Sequence, residues 1–289
     1  MHLDLALVVA SAIVGFAVGL TGVGGGALMT PMLVLLFGIA PSTAITSDLV
    51  AALVMKPFGV SVHLHRRTIH WPIVAFLCIG SVPAALVGAW TLHQMGTSLG
   101  AEHLVQRILG VALVLGALAL LARPFIPHAS AEEPLPLRRG ALIGVGLLGG
   151  FMVGLTSVGA GSLIVICLLA LYPHMANDRL VGTDLTQSLP LTAAATLGTL
   201  LFGHVHVGVT LDIIVGSVPA VILGARLSSR AASRHLRPII AALVLLSGVK
   251  YVGAPLSILG VCALVVVPAS LGLVIRSLKK QPRVVATTP

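Results

Sequence analysis

Gly15-Phe-Ala-Val-Gly-Leu-Thr-Gly-Val-Gly-Gly-Gly26 stands near the start of the chain, and Gly150-Phe-Met-Val-Gly-Leu-Thr-Ser-Val-Gly-Ala-Gly161 stands near its middle. The two stretches align without a gap. Further on, Thr46-Ser-Asp48-Leu aligns with Gly182-Thr-Asp184-Leu, and Gly80-Ser-Val-Pro-Ala84 with Gly216-Ser-Val-Pro-Ala220. Gly88-Ala then meets Gly224-Ala at a nearly constant offset. Three ordered matches of this kind point to a duplicated unit. The first half is 1–123, the second is 139–289 with an added apolar segment after about 250, and 124–138 links them. Arg123–Arg139 contains four prolines and Glu132-Glu133, the composition of a loop.

Composition sets the environment. Of 289 residues, 57% are hydrophobic and 9% are charged, and mean hydropathy is +1.09. A soluble domain carries roughly 25% charged residues. So few charges cannot cover the surface of a water-soluble protein, which excludes a cytosolic enzyme, a nucleic-acid-binding domain and a disordered chain. A polytopic membrane protein remains, and 32 glycines suit closely packed transmembrane helices. The net charge of +9 sits in short stretches between apolar segments, as the positive-inside rule produces. Cys78, Cys167 and Cys262 lie inside apolar runs, are odd in number and read as small buried hydrophobes. The first apolar segment reads as structure and not as a signal peptide. No Lys or Arg precedes it, and its copy lies in mid-chain.

Segment lengths then give the architecture. Leu5–Ser47 holds no charged residue and no His. As one helix it would run about 65 Å, against a hydrocarbon core of roughly 30 Å. The chain must therefore turn, and Gly22–Gly26 is the place. Its arms, Leu5–Thr21 and Ala27–Ile39, form a helical hairpin with a glycine-rich tip. Ala141–Thr156 and Ser162–Tyr172 form a second one. Ordinary spans are expected at 44–64, 71–92, 104–122, 181–202, 209–227 and 237–252, with a last one at about 255–276. The fold class is all-α, with each half a Gly-tipped hairpin plus three spans and one extra C-terminal span. One hairpin and three spans make an odd number of crossings, so the halves run in opposite senses. Arg66-Arg67, the linker, the four arginines of 226–237 and the tail 276–283 then all fall inside. This is an inverted-topology repeat, a plan used by many secondary transporters.

Candidate chemistry follows from the same plan. Helices restarting at the tips near mid-membrane present unsatisfied N–H groups to the interior, which favours an anion. The substrate-binding candidates are Thr21, Gly24, Gly25 and Gly26 in the first tip. Thr156, Ser157, Gly159, Gly161 and Ser162 are the candidates in the second. The competing reading is that the glycines serve helix packing alone. Asp48 and Asp184 are equivalent by the repeat. They either carry a coupling ion or satisfy the start of a helix. Lys56 stands in mid-span where the second half has Thr192, and it either attracts an anion or pairs with Asp48. Gln187 faces a similar choice. His63, His65, His70, His204 and His206 flank short turns, and His204-x-His206 lacks the carboxylates or cysteines of a metal site. Pro83 and Pro219 are expected to kink their spans.

The paired Gly-Leu-Thr-x-Val-Gly-x-Gly segments, the Ser/Thr-Asp-Leu after each and the repeated Gly-Ser-Val-Pro-Ala resemble the TauE/SafE (sulfite exporter) family over about 5–250. Ser157 and Ala160 depart from Gly22 and Gly25 of the first half. The resemblance implies a transporter of sulfur-containing anions such as sulfite, sulfoacetate or other organosulfonates. It also implies multi-pass insertion in a bacterial inner membrane. The expected partners are a small anionic substrate and the lipid bilayer, with proton coupling and a homodimer left open, no nucleic acid, and no cofactor or metal. Export fits a negative-inside potential, worth about 2.3 kcal/mol per charge per 100 mV. A passive anion channel of the same architecture is the alternative. An intramembrane enzyme would need a nucleophile with a base, or a metal cluster, and neither is apparent.

Overall fold

The computed structural model describes residues 4–21, 24–96, 101–122, 137–159, 163–202, 205–227 and 230–255, with 257, 260, 262, 264 and 268 beyond. The body of the linker, Gly22, Gly161, Ser162, His204 and most of the predicted span 255–276 lie outside the described residues. The first half holds α1 (Leu5–Thr21), α2 (Gly26–Phe37), α3 (Pro41–His65), α4 (Trp71–Gly96) and α5 (Ala101–Ala122). The second half holds α6 (Arg139–Thr156), α7 (Leu163–Leu171), α8 (Asn177–Phe202), α9 (Val207–Leu227) and α10 (Arg230–Val252). The same order of long, short, long, long, long recurs in both.

Local chemistry explains the breaks. Asp4 Oδ1 accepts the Ala6 and Leu7 amides at 3.0 and 3.3 Å, capping α1. α2 stops at Gly38, whose φ of +65° lets its N–H turn back to the Leu33 carbonyl. Pro41 then opens α3, where a missing N–H costs nothing. With 12 and 9 residues, α2 and α7 reach only about 18 and 14 Å. Six helices, α3, α4, α5, α6, α8 and α9, are long and apolar enough to cross a membrane. α10 differs from the expected plain span. It begins at Arg230 with Pro238 inside it, and its apolar part, Pro238–Val252, is shorter than a full crossing. Pro83 and Pro219 lie inside continuous helices.

The helices pack across the halves. α1 lies on α9, and α6 lies on α4, so the first helix of each half rests on the fourth helix of the other. Glycine makes this possible. A Cβ on Gly19 would strike the Val221 carbonyl, and one on Gly224 the Phe16 carbonyl. Gly154 and the Ala85 carbonyl, and Gly88 and the Phe151 carbonyl, repeat the arrangement between α6 and α4. The duplicated Gly-Ser-Val-Pro-Ala…Gly-Ala is thus the glycine face that receives the partner helix. α5 pairs with α10 through Gly110 and Gly248 in the same manner.

Polarity is distributed inside out. Large apolar side chains such as Leu36, Leu148 and Leu201 are exposed, whereas Asp48, Gln187, Thr192 and Ser157 are buried. That pattern suits a hydrocarbon solvent, where polar groups must find partners within the protein. The cysteines are free and only half-buried, so they line the packing less deeply than expected.

Gly154→Val should force α6 off α4 and cost at least about 1–3 kcal/mol, the usual penalty of overpacking. Gly144→Val, with nothing within 4 Å of the new Cβ, should be close to neutral. Thermal unfolding of the two purified variants in detergent checks the contrast.

Candidate functional site

α3 and α8 meet at the centre of the molecule. Lys56 of α3 donates to Thr192 Oγ1 and, at 3.2 Å, to the Ser188 carbonyl of α8. Lys56 and Thr192 are repeat counterparts. A residue can touch its own counterpart only where the two halves face each other. Lys56 lies within electrostatic range of both Asp184 and Asp48.

Asp48 ties the two tips together. Its Oδ2 accepts the Thr30 hydroxyl of α2 at 2.9 Å and the Ser157 hydroxyl, just past α6, at 2.8 Å. The side chain is fully buried, and Oδ1 has no hydrogen-bond partner among the described residues. This corrects the reading of Asp48 and Asp184 as groups at the start of a helix. Each is the eighth residue of its helix, since α3 starts at Pro41 and α8 at Asn177. Asp48 satisfies side-chain hydroxyls and not first-turn amides. Asp184 accepts from Gln187 Nε2 at 3.3 Å, and Gln187 Oε1 in turn accepts the Ser81 hydroxyl at 3.4 Å. The two carboxylates are equivalent by sequence but differently bonded.

Ser157 explains the departure from glycine. It ends α6 in the left-handed region at φ +59°, with its N–H on the Val153 carbonyl at 2.7 Å. A non-glycine residue there costs roughly 1–2 kcal/mol. A hydrogen bond to a charged group returns about 1.5–3 kcal/mol, so the Asp48 contact can offset the backbone cost. The tips also touch directly. A Cβ on Gly26 would strike the Ser157 carbonyl, so only glycine lets α2 begin there.

Between the tips lies a cavity of about 10 Å³, close to the space of one water molecule. Its walls are Gly24, Gly25, Gly26 and Lys56 from the first half, with Ser157 and Thr192 from the second, and Leu49, Ala52 and Val153 complete them. Gly25 and Gly26 open α2; the Gly25 carbonyl receives the Leu28 and Met29 amides at 3.0 and 2.8 Å, which leaves the Gly26 and Ala27 amides without an acceptor within the helix.

Five predicted residues therefore come together here: Gly24, Gly25, Gly26, Ser157 and Lys56. Others do not. Thr21 donates to its own helix, at the Ala17 carbonyl (2.7 Å), and Thr156 does the same at Met152 (2.6 Å). Gly159, at φ +131°, uses its carbonyl to receive the Leu163 amide and start α7. Thr30, Ser188 and Thr192 were not anticipated as site residues. Thr192 was findable as the counterpart of Lys56, whereas Thr30 is a lone hydroxyl in an apolar arm. The described residues contain no cluster of three His, Cys, Asp or Glu suited to a metal.

The histidines sit at the edge. The carbonyls of His70 and His206 receive the first amides of α4 and α9, so their alignment reflects a shared helix start. The His70 amide donates to Thr183 Oγ1 at 3.1 Å, joining this turn to α8. Burial pushes the His70 imidazole below its usual pKa. Its own backbone hydrogen bond opposes that shift, and Arg179 adds to it. The folded state thus resists a proton that the unfolded chain accepts below about pH 6.5. Stability should fall as pH drops through that value, and less so in His70→Gln. Unfolding midpoints of both proteins between pH 7.5 and 5.5 test it.

Residues 7–251 match the family described as Sulfite exporter TauE/SafE. A probable membrane transporter protein, YjnA of Bacillus subtilis, is 37% identical over 256 residues, covering 86% of this chain and 100% of its own. A probable membrane transporter protein of Xylella fastidiosa is 27% identical over 243 residues, covering 83% and 91%. The probable membrane transporter protein MJ0441 of Methanocaldococcus jannaschii is 25% identical over 241 residues, covering 78% and 88%. No solved structure matches significantly.

Proposed function

The chain belongs to the TauE/SafE sulfite exporter family of membrane transporters, and from that membership we propose that it is a secondary transporter exporting a small sulfur-containing oxyanion. Sulfite, sulfoacetate and other organosulfonates are the substrate class. The observation that carries this reading is the cavity where the two tips meet, walled by Gly24, Gly25, Gly26, Ser157, Thr192 and the ammonium of Lys56. The start of α2 supplies amide donors and the positive end of a helix dipole, and Lys56 supplies a full charge. Both suit an oxyanion and neither suits a cation.

The cavity's size supports a carrier over an open pore. About 10 Å³ admits a water molecule and not a sulfonate, so the tips must part for an anion to enter. Alternating access follows if the halves, running in opposite senses as an inverted repeat, rock about the Lys56–Thr192 contact. The basic loops would lie on the cytoplasmic side of a bacterial inner membrane. A negative-inside potential would then drive the anion outward.

Efflux from proteoliposomes under a set potential tests the proposal. Sulfite and sulfoacetate should leave with saturable kinetics and counterflow. A Cβ on Gly25 meets only the Met55 methyl, at 3.7 Å, so Gly25→Leu should fold while its side chain fills the cavity. Its flux should fall at least about tenfold, because crowding an occupied space costs about 1–3 kcal/mol. Lys56→Ala should fall as far. Flux that never saturates would establish a channel instead, and no movement of either anion would remove the sulfur assignment.

A further inference from the structure

The centre has a charge problem if it holds an anion. Lys56 brings one positive charge, and Asp48 and Asp184 bring two negative ones when ionised. An added anion would face a site already net negative. Something must be neutralised when it binds.

Asp48 is the group placed to do this. Among the described residues, the charge that acts on it is Lys56, on its own helix. α2 and the end of α6 bring hydroxyls, Thr30 and Ser157. α8 brings Asp184, which acts on Lys56. Among the described residues, α8 also carries Asp178 and Arg179 at its start, and α4 carries Cys78, whose Sγ is 4.0 Å from the Gln187 carbonyl; the other charged and titratable side chains of the neighbours lie towards helix ends, His93 on α4, Glu102, His103 and Arg107 on α5, Asp212 and Arg226 on α9. Asp48 Oδ1 is buried and has no hydrogen-bond partner among the described residues.

Asp48 does not line the cavity, but Ser157 does, and Ser157 donates to Asp48 at 2.8 Å. A serine hydroxyl has one hydrogen. While Asp48 is ionised, that hydrogen is held by Oδ2, and Ser157 shows the cavity only lone pairs, which repel an anion. If Asp48 gains a proton, the hydrogen bond can reverse. The carboxylic acid then donates to Ser157 Oγ, and the serine hydrogen turns into the cavity. We propose that Asp48 is the proton-binding partner of the anion site, so that one proton from solution accompanies each doubly charged anion and leaves one net negative charge for the potential to act on, with Ser157 as the relay between them. This rests on the anion reading of the cavity. Asp48 is then a positioning residue, acting on substrate through Ser157. A proton fits better than a sodium ion, which needs a shell of oxygen ligands. Among the described residues Oδ1 has no hydrogen-bond partner, and the Thr30 and Ser157 hydroxyls both bond to Oδ2, which is not such a shell.

Sulfoacetate binding by the purified full-length protein between pH 6 and 8 tests this, because both acid groups of the probe stay ionised there. Wild type should take up about one proton per anion, read with an indicator dye in weak buffer. Its affinity should weaken by up to about tenfold per pH unit. In Asp48→Asn the carboxylate charge is absent at every pH and no proton can be taken up there, so affinity should be flat across the range. Ser157→Gly, which suits the left-handed backbone, should bind more weakly and lose most of the slope. Binding by wild type without proton uptake would overturn the proposal while leaving the anion site intact, and so would a slope that persists in Asp48→Asn. Affinity that rises with sodium at fixed pH would replace the proton by sodium. No binding of sulfoacetate or sulfite by wild type would overturn the anion reading and this proposal with it.

Discussion

Nothing in hydrocarbon can hydrogen-bond a carboxylate, an ammonium or a free amide, so each such group within the bilayer must be satisfied by the protein itself. The Asp48 carboxylate is where that constraint is most demanding. It lies fully buried between two hairpin tips and collects hydroxyls from both, Thr30 on one side and Ser157 on the other. The alternative, an unpaired buried carboxylate, costs several kcal/mol. The tips are therefore held in register by electrostatics, and the rest of the centre is arranged around them.

Close helix packing brings the tips to the same place. There is no hydrophobic driving force between helices in lipid, so association depends on van der Waals contact and on small residues that admit it. The glycine faces of α1 and α9, and of α6 and α4, bring backbone against backbone. Each half is thereby clamped by the first helix of the other. Gly26 repeats the principle at the tip, where a single Cβ would collide with the Ser157 carbonyl. The close packing at these glycines leaves a cavity whose walls the tips provide.

The two halves have diverged where chemistry is concentrated. Lys56 meets Thr192, and Asp48 bonds two hydroxyls where its sequence counterpart Asp184 bonds a glutamine. A strictly symmetric centre would oppose two lysines, or leave no cation at all. One lysine donating to its counterpart's hydroxyl places a single charge at the meeting of the halves. Ser157 in place of the glycine of the first half adds a second asymmetry. It accepts backbone strain in exchange for a hydroxyl on the cavity wall.

Much of this was legible in the residues. The duplicated Gly-rich stretches, the uncharged run Leu5–Ser47 and its length against a bilayer required two hairpins, and α1 has the bounds expected from them. Hydrophobicity and helix rise are local properties, so the sequence alone could determine them. It also nominated Gly24, Gly25, Gly26, Ser157 and Lys56, because buried charge and repeated glycine in apolar runs need a reason. It misjudged Asp48 and Asp184 as helix starts, since an apolar run does not mark where a helix begins when Pro41 or Asn177 can open it earlier. Only the tertiary structure decided that Thr30 and Ser157 share one carboxylate, that Thr192 receives Lys56, and that Thr21 and Thr156 turn back on their own helices. Those pairings join residues 18 to 136 positions apart or depend on a rotamer. Hydrogen bonds of that kind are set by which helix faces meet, and no local pattern along the chain encodes that.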